Sequence, residues 1–367
     1  MDDNIGNSFP ADISVQPDSQ QPGFADLAPD QLLDAVDSVG VRASGTFLAL
    51  NSYENRVYRV DLGDHELAAA GLPGLIDCQS RPVQTRPLRV VAKFYRPNRW
   101  SDLQILEEHQ FTAQLAEAEL PVITPLANNS GDTLFTFGEH RFALYPCAGG
   151  RAPELDNPEQ LEQIGRLIGR IHAIGATESF QHRLPLSIDY LGNDARQLVL
   201  QSSLLPDYLT ESYAAVTSSL LEQVSDVFSQ VSKLDSIRLH GDLHPGNLLW
   251  NETGPHLVDF DDAVSGPAIQ DLWMFLSGDR DYMNARLGDL LVGYEQFMEF
   301  DSRQLALIEA LRTLRMIHHV SWITQRWSDP AFPIAFPAVG TTGFWEMHIN
   351  TLQEQTEQLQ QPPLIWD

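Results

Sequence analysis

The sequence predicts an α+β fold in two lobes. A small amino-terminal lobe of antiparallel strands carries one helix, and a larger carboxyl-terminal lobe is mainly helical. Three observations predict it. Alternating apolar segments crowd into the first 145 residues. A Gly/Pro joint follows at Pro146-Cys147-Ala148-Gly149-Gly150. Beyond it the apolar period becomes helical, broken by one compact strand–loop–strand region. A length of 367 residues suits two or three lobes sharing a sizeable core. The expected divisions are a tail at 1–26, a small lobe at 27–145 and a large lobe at 146–367.

Residues 1–30 hold six Asp, four Pro and no Lys or Arg. Such a segment buries too little apolar area to offset chain entropy, so 1–26 is expected to be a disordered acidic tail. Pro29-Asp30 opens a helix that ends near Gly40. The stretch TFLALNSYENRVYRVDL reads as a hairpin with a polar turn from Ser52 to Asn55. Residues 63–88, rich in Gly, Ala and Pro, read as a loop insertion, and LRVVAKFY (88–95) is a third strand. Ser101 caps a helix with apolar positions Leu103, Leu106, Phe111 and Leu115. TLFTFGE and HRFALYP are two further strands. Helices are expected at 158–175, 206–233, 271–299 and 302–327, with IRLHGDLHPGNLLW and PHLVDFDDA between the second and third.

Fifty acidic residues against 23 basic ones leave a net charge of −27. With no Lys/Arg run, nucleic acid and anionic membrane surfaces are excluded as partners. Two cysteines, Cys78 and Cys147, form neither a disulfide framework nor a metal finger. No apolar run reaches the length of a membrane span. The first residues carry no positive n-region and no apolar h-region. A cytoplasmic protein, monomeric by default, is expected.

The chemistry concentrates in His240-Gly241-Asp242-Leu243-His244-Pro245-Gly246-Asn247, followed twelve residues later by Asp259 in Val258-Asp259-Phe260. Asp242 and Asn247 lie in a Gly/Pro loop between two apolar strands, and Asp259 ends the next strand. Their side chains are expected to converge at one end of a hairpin. Asn247 and Asp259 are hard oxygen donors suited to Mg²⁺, and Asp242 can accept a proton from a hydroxyl. That is the division of labour in kinase phosphoryl transfer. Lys93 in VVAKFY is one of only two lysines, the other being Lys233. It is the ammonium expected to reach ATP phosphates, fixed by a carboxylate on the Ser101 helix. Glu107 and Glu108 both lie there, and Glu108 is favoured because its face can look inward. The turn holding Ser52 and Asn55 would cover the phosphates with backbone N–H groups, and the backbone from Leu144 through Tyr145 to Cys147 would meet adenine. In Gly266-Pro267-Ala268-Ile269-Gln270-Asp271, Asp271 is expected to open a helix and brace the loop that begins at His240. His172 reads as a packed helix residue. The helix from Arg312 to Trp327 reads as core, with part of it free to wall an acceptor site.

These residues resemble a known family. RLHGDLHPGNLLW, LVDFDDA and GPAIQDLW are similar to the aminoglycoside phosphotransferase-type kinases. NSYENRVYRV, VVAKFYRPNRW, QILEEHQF, GGR at 149–151 and RWSDPAFP resemble, more narrowly, the bacterial stress-response kinases, over roughly residues 27–365. The resemblance implies a bilobal protein kinase-like fold, Asp242 as base, Asn247 and Asp259 as Mg²⁺ ligands and Lys93 on ATP. It places Ser52 near ATP as a site of autophosphorylation and implies a protein with a Ser/Thr hydroxyl as acceptor. The residues themselves leave the acceptor open. Only six residues separate Asp259 from Gly266, too few for a long activation loop, and His244 stands where such kinases usually carry Lys. A kinase of an amino sugar or a choline-like or homoserine-like alcohol is the alternative. A nucleotide-binding pseudokinase is disfavoured because all three phosphoryl-transfer positions are filled.

Overall fold

The computed structural model describes Phe24 and residues 27–63, 75–76, 89–231, 233–252 and 254–366. The rest of the acidic tail, most of the 63–88 insertion and Cys78 lie outside the described residues. The chain divides into two compact units. One takes in the described residues up to Ala152 together with Leu248–Asp261, and the other takes in Pro153–Asn247 and Asp262–Asp367.

In the first unit, helix α1 (Pro29–Ser38) precedes strands β1 (Ala43–Ala49) and β2 (Arg56–Leu62), joined by the polar turn. A two-residue strand, β3 (Leu75–Ile76), interrupts the insertion and pairs with β5 (Ala127–Asn128). Strand β4 (Arg89–Phe94) leads to helix α2 (Asp102–Glu117). Strands β6 (Phe135–Phe137) and β7 (His140–Pro146) complete a five-stranded antiparallel sheet in the order β1-β2-β4-β7-β6. Side chains alternate across a strand, and β4 shows the consequence. Val90, Ala92 and Phe94 point to one face, where they pack with Leu32, Ala35 and Val36 of α1 and with Phe142 and Leu144 of β7. Lys93 therefore points to the opposite face.

Helix α2 starts where a capping box should start it. Ser101 accepts the Gln104 N–H, and the Gln104 side chain accepts the Ser101 N–H. Its buried face is Ile105, Glu108, His109, Phe111, Thr112 and Leu115. Leu103 and Leu106, expected on that face, are exposed. The 3.6-residue period places them on the far side from Phe111 and Leu115, and two polar residues, Glu108 and His109, take the inward positions instead.

In the second unit, helices α3 (Pro158–Gly175), α4 (Ala195–Leu200) and α5 (Thr210–Gln230) precede strand β8 (Ile237–Leu239). The chain then enters the first unit as the hairpin of β9 (Leu248–Asn251) and β10 (Gly254–Leu257). It returns as β11 (Val264–Gly266), followed by α6 (Arg280–Tyr294), α7 (Ile308–Gln325), α8 (Ala331–Ala335) and α9 (Thr342–Leu359). The helix expected at 271–299 starts only at Arg280. Gly278 is left-handed (φ 105°), and Asp279 caps α6 by accepting the Tyr282 N–H. The helices expected from 206 and 302 likewise open with 3₁₀ turns, at 207–209 and 302–307.

Helices α3 and α6 meet through glycines. A Cβ on Gly165 would run into the Leu290 carbonyl, one on Gly169 into the Tyr294 carbonyl, and one on Gly293 into the Glu162 carbonyl. Gly165→Ala should therefore destabilise the protein by about 1–3 kcal/mol, despite the better helix propensity of Ala. Urea denaturation measures this, and an unchanged midpoint would show that the helices part at no cost.

Candidate active site

In the first unit the site is built around Lys93. Its side chain is only 7% exposed, yet Nζ lies 2.8 Å from Asp259 Oδ1 and 3.1 Å from Asp261 Oδ1. Burial alone would push the lysine pKa down. Asp259, Asp261 and Glu108 outweigh it and hold the pKa well above the ordinary lysine value. The ammonium is thus secured in a dry setting. Glu108 is buried and Glu107 half-buried. The carboxylates that touch Lys93 are Asp259 and Asp261, while Glu108 adds its negative charge to the lysine's surroundings.

Asp259 follows β10 with φ 62°, in the left-handed region that Asp tolerates better than most side chains. Strain of this kind persists where neighbours over-determine it. Here Phe260 is buried and meets Phe111 of α2 edge-to-face at 6.0 Å, which anchors the segment. The Asp259 carboxylate remains 54% exposed while its lysine partner is buried.

Asp261 is the hub of a buried polar cluster. It accepts from Asn55 Nδ2 at 3.0 Å and pairs with Arg99. Arg96 donates its backbone N–H to Asn55 Oδ1 at 3.1 Å, and its Nε–H to the Glu54 carbonyl at 2.9 Å. It also pairs with the Glu54 carboxylate at 2.9 Å. The turn between β1 and β2 is thereby tied to the KFYRPNRW segment. Asn55, expected at the phosphates, is buried with both ends of its amide engaged in this cluster. Ser52, in the same turn, is half-buried. Tyr145 on β7 is held by Tyr95, hydroxyl to hydroxyl at 3.0 Å, and Tyr95 in turn meets His109 Nε2 at 2.8 Å. Burial pushes the Tyr145 hydroxyl well above the ordinary tyrosine range, so it stays protonated. Cys147, just past β7, is half-buried.

In the second unit the loop from His240 to Asn247 leaves β8. The hairpin expected here does not form between the flanking strands. β8 pairs with β11, and β9 pairs with β10. Gly241 is left-handed (φ 87°), and a Cβ there would strike the Asp262 carbonyl, so the loop requires glycine. Asp271 accepts the backbone N–H groups of His240 at 2.7 Å and Gly241 at 2.8 Å. It does so from the end of a 3₁₀ turn (Ala268–Asp271) rather than from the start of a helix. A second 3₁₀ turn, Trp273–Phe275, follows before the left-handed Gly278. His172 is fully buried and hydrogen-bonds Asp271 Oδ2 at 3.2 Å and the Tyr294 hydroxyl at 3.0 Å. Gln270 Nε2 donates to the Gly241 carbonyl at 2.7 Å. Asn247 Nδ2 donates to the Asp242 carbonyl at 2.9 Å, which turns the amide oxygen away from that contact.

The Asp242 side chain is buried and receives Arg315 Nη1 on Oδ1 at 2.6 Å. Its Oδ2 stands 3.6 Å from His244 Nε2, beyond hydrogen-bond length. Burial lowers the Arg315 pKa below the ordinary arginine value, and Asp242 and Asp262 partly restore it. Arg315, Arg96, Arg99 and Asp261 were not singled out from sequence. Arg315 lies in a helix whose residues read as core, and the two arginines lie in KFYRPNRW, whose signal in the sequence is its family resemblance.

The donor types fit a magnesium ion. Asn247 offers an amide oxygen and Asp259 a half-exposed carboxylate, both hard ligands. Among the described residues no three His, Cys, Asp or Glu side chains gather as a metal cage. Mg²⁺ in phosphoryl transfer needs none, since one or two side chains hold it together with nucleotide phosphates.

Residues 48–308 match the family model described as the phosphotransferase enzyme family. The chain is 40% identical to stress response kinase A of Escherichia coli O157:H7 over 341 residues, 93% of this chain and 96% of that protein. It is 38% identical, over the same shares, to the serine/threonine protein kinase RdoA of Salmonella typhimurium. Among solved structures it resembles an amicoumacin kinase in complex with AMP-PNP and Ca²⁺ (TM-score 0.66, 18% identity, 91% of this chain and 95% of that one). It also resembles a microcompartment-associated aminopropanol kinase (TM-score 0.65, 15% identity, 90% and 98%). At these identities the two structures speak for the fold alone, a kinase-like one.

Proposed function

The chain belongs to the phosphotransferase enzyme family and is a kinase, and from that premise we propose that it is an ATP- and Mg²⁺-dependent protein serine/threonine kinase of the stress-response type. The observation that carries the phosphotransfer is the buried Lys93 ammonium against the half-exposed Asp259 carboxylate. The protein acceptor is supported by the names of relatives 38–40% identical.

In this proposal the Lys93 ammonium contacts the α- and β-phosphates, with Glu108 nearby to keep it charged and in place. Asn247 and Asp259 hold Mg²⁺, which when bound neutralises charge on the β/γ-phosphates. The backbone near Tyr145 and Cys147 meets adenine, and the turn with Ser52 and Asn55 lies over the phosphates. Asp242 orients the acceptor hydroxyl and takes its proton as the hydroxyl oxygen bonds to the γ-phosphorus. The bond from that phosphorus to the β–γ bridging oxygen breaks, and ADP leaves. Asp271, with His240 beside it, holds the loop that carries Asp242. The functional division follows the lobes, with 27–145 serving ATP and 146–367 the catalytic loop and acceptor. The proposal includes a monomer acting in the cytoplasm. No helix among the described residues is long and apolar enough to cross a membrane.

Incubation with γ-labelled ATP and Mg²⁺ tests the proposal. Label on Ser52 or on a second protein is expected. Label only on an amino sugar or another small alcohol would overturn the protein acceptor in favour of a small-molecule kinase. That alternative draws on one observation: β11 begins at Val264, five residues after Asp259, leaving no length for a peptide platform. A second expectation separates the two lysines. Lys93→Ala should raise the KM for ATP or lower kcat at least about tenfold, as loss of a charged phosphate contact does. Lys233→Ala should leave both unchanged. Equal effects would contradict the assignment of Lys93.

A further inference from the structure

Helix α7 brings one cation to the loop of the second unit. Arg315 sits in the middle of the helix, its side chain 15% exposed, and its guanidinium meets Asp242 Oδ1 at 2.6 Å. The same guanidinium lies 5.9 Å from the ring centre of Trp273, within cation–π range, and Arg312 lies 5.1 Å from that ring. The Trp273 indole N–H donates to Gln270 Oε1 at 3.3 Å, and Gln270 Nε2 donates to the Gly241 carbonyl. A closed path thus runs from Asp242 through Arg315, Trp273 and Gln270 back to Gly241, the residue before Asp242.

From this geometry we infer that Arg315 is a positioning residue for the base. The inference rests on Asp242 being that base. Two restraints of different kind act on Asp242. Its backbone is held through its neighbours and its own carbonyl, by Asp271, Gln270 and Asn247. None of these contacts governs rotation of the carboxylate about its own bond. Arg315 does, because it fixes Oδ1. Oδ2, with His244 too distant to bond it, is then the oxygen presented to the acceptor hydroxyl. A carboxylate free to rotate would keep its chemistry and lose its aim, and a misplacement near 1 Å costs about a hundredfold in rate.

The test is a mutant cycle on the full chain, with γ-labelled ATP and dephosphorylated casein as the acceptor probe. Arg315→Gln should lower kcat about 10- to 100-fold with the KM for ATP within about twofold, because the nucleotide contacts lie elsewhere. Arg315→Lys returns a cation and should recover most of the loss. In the Asp242→Asn background, Arg315→Gln should cost nothing further, because a residue that acts through the base has nothing left to aim. Additive losses, or an unchanged kcat in Arg315→Gln, would overturn the inference. If Arg315→Gln does not fold, the same cycle run with Arg315→Met, which also removes the cation, decides: a smaller kcat than the parent that vanishes on Asp242→Asn supports the role, and an additive or absent effect overturns it. Full activity in Asp242→Asn alone would remove the base assignment itself. An essential Asp242 with additive Arg315 effects would remove only the role of Arg315.

Discussion

Asp242→Asn is expected to lower kcat by about 10²–10⁴ while leaving the fold intact. That range is the contribution of a positioned general base. The carboxamide keeps the shape of the carboxylate and can still accept from Arg315 through its oxygen, so the buried pocket is not emptied. The loop backbone is held independently, by Asp271 on the His240 and Gly241 N–H groups and by Asn247 on the Asp242 carbonyl. What the amide lacks is the capacity to accept the acceptor's proton. Steady-state kinetics with labelled ATP, beside a thermal unfolding curve, separate the two effects. A variant with full kcat would show that the proton leaves by another route. A variant with a collapsed unfolding midpoint would show that the Asp242–Arg315 pair holds the fold rather than the chemistry.

Asp261→Ala should produce the largest loss of stability, about 3–5 kcal/mol, the cost of removing one partner from a buried ion pair. Asp261 is 2% exposed and serves Lys93, Arg99 and Asn55 together. Its removal takes from Arg99, itself 3% exposed, the nearer of two carboxylates and leaves Glu54 at 4.0 Å. Lys93 would keep Asp259. The damage should also reach the β1–β2 turn, because Asn55 loses an anchor. Urea denaturation, with the slope compared between variant and parent, reads the loss. A change below about 1 kcal/mol would mean that water screens the cluster as it does a surface pair.

Some of this was legible in the residues. Period-two apolar runs located β2, β4 and β7, and Ser101 located the start of α2, because both signals are local and each is satisfied within a few residues. The loop from His240 to Asn247 stood out for the same reason: glycine, proline and oxygen side chains at short spacing. Lys93 stood out because lysine is scarce. The helical period sets Leu103 and Leu106 apart from Phe111 and Leu115 but does not say which set faces inward. Which side of α2 faces inward depends on Lys93 and Phe260, which attract Glu108 and Phe111, and neither lies on the helix. The pairing of β8 with β11 rather than β9 is likewise a choice among strands of similar composition, made by distant packing.

The acids at 259, 261 and 262 show where the division falls. By itself the sequence determined that carboxylates cluster after β10, that only two lysines and one Asp-Asn loop are available to work with them, and that a chain of net charge −27 needs cations to handle a phosphate. Only the tertiary structure decided their separate parts. Asp259 is left-handed and half exposed beside Lys93, Asp261 is buried between Lys93 and Arg99, and Asp262 adds its charge to that of Asp242 on Arg315. The physical reason is that the strength of a charge pair depends on distance and burial. Both are set by where β4, α2 and α7 bring their side chains, and Arg315 stands 73 residues from the aspartate it holds.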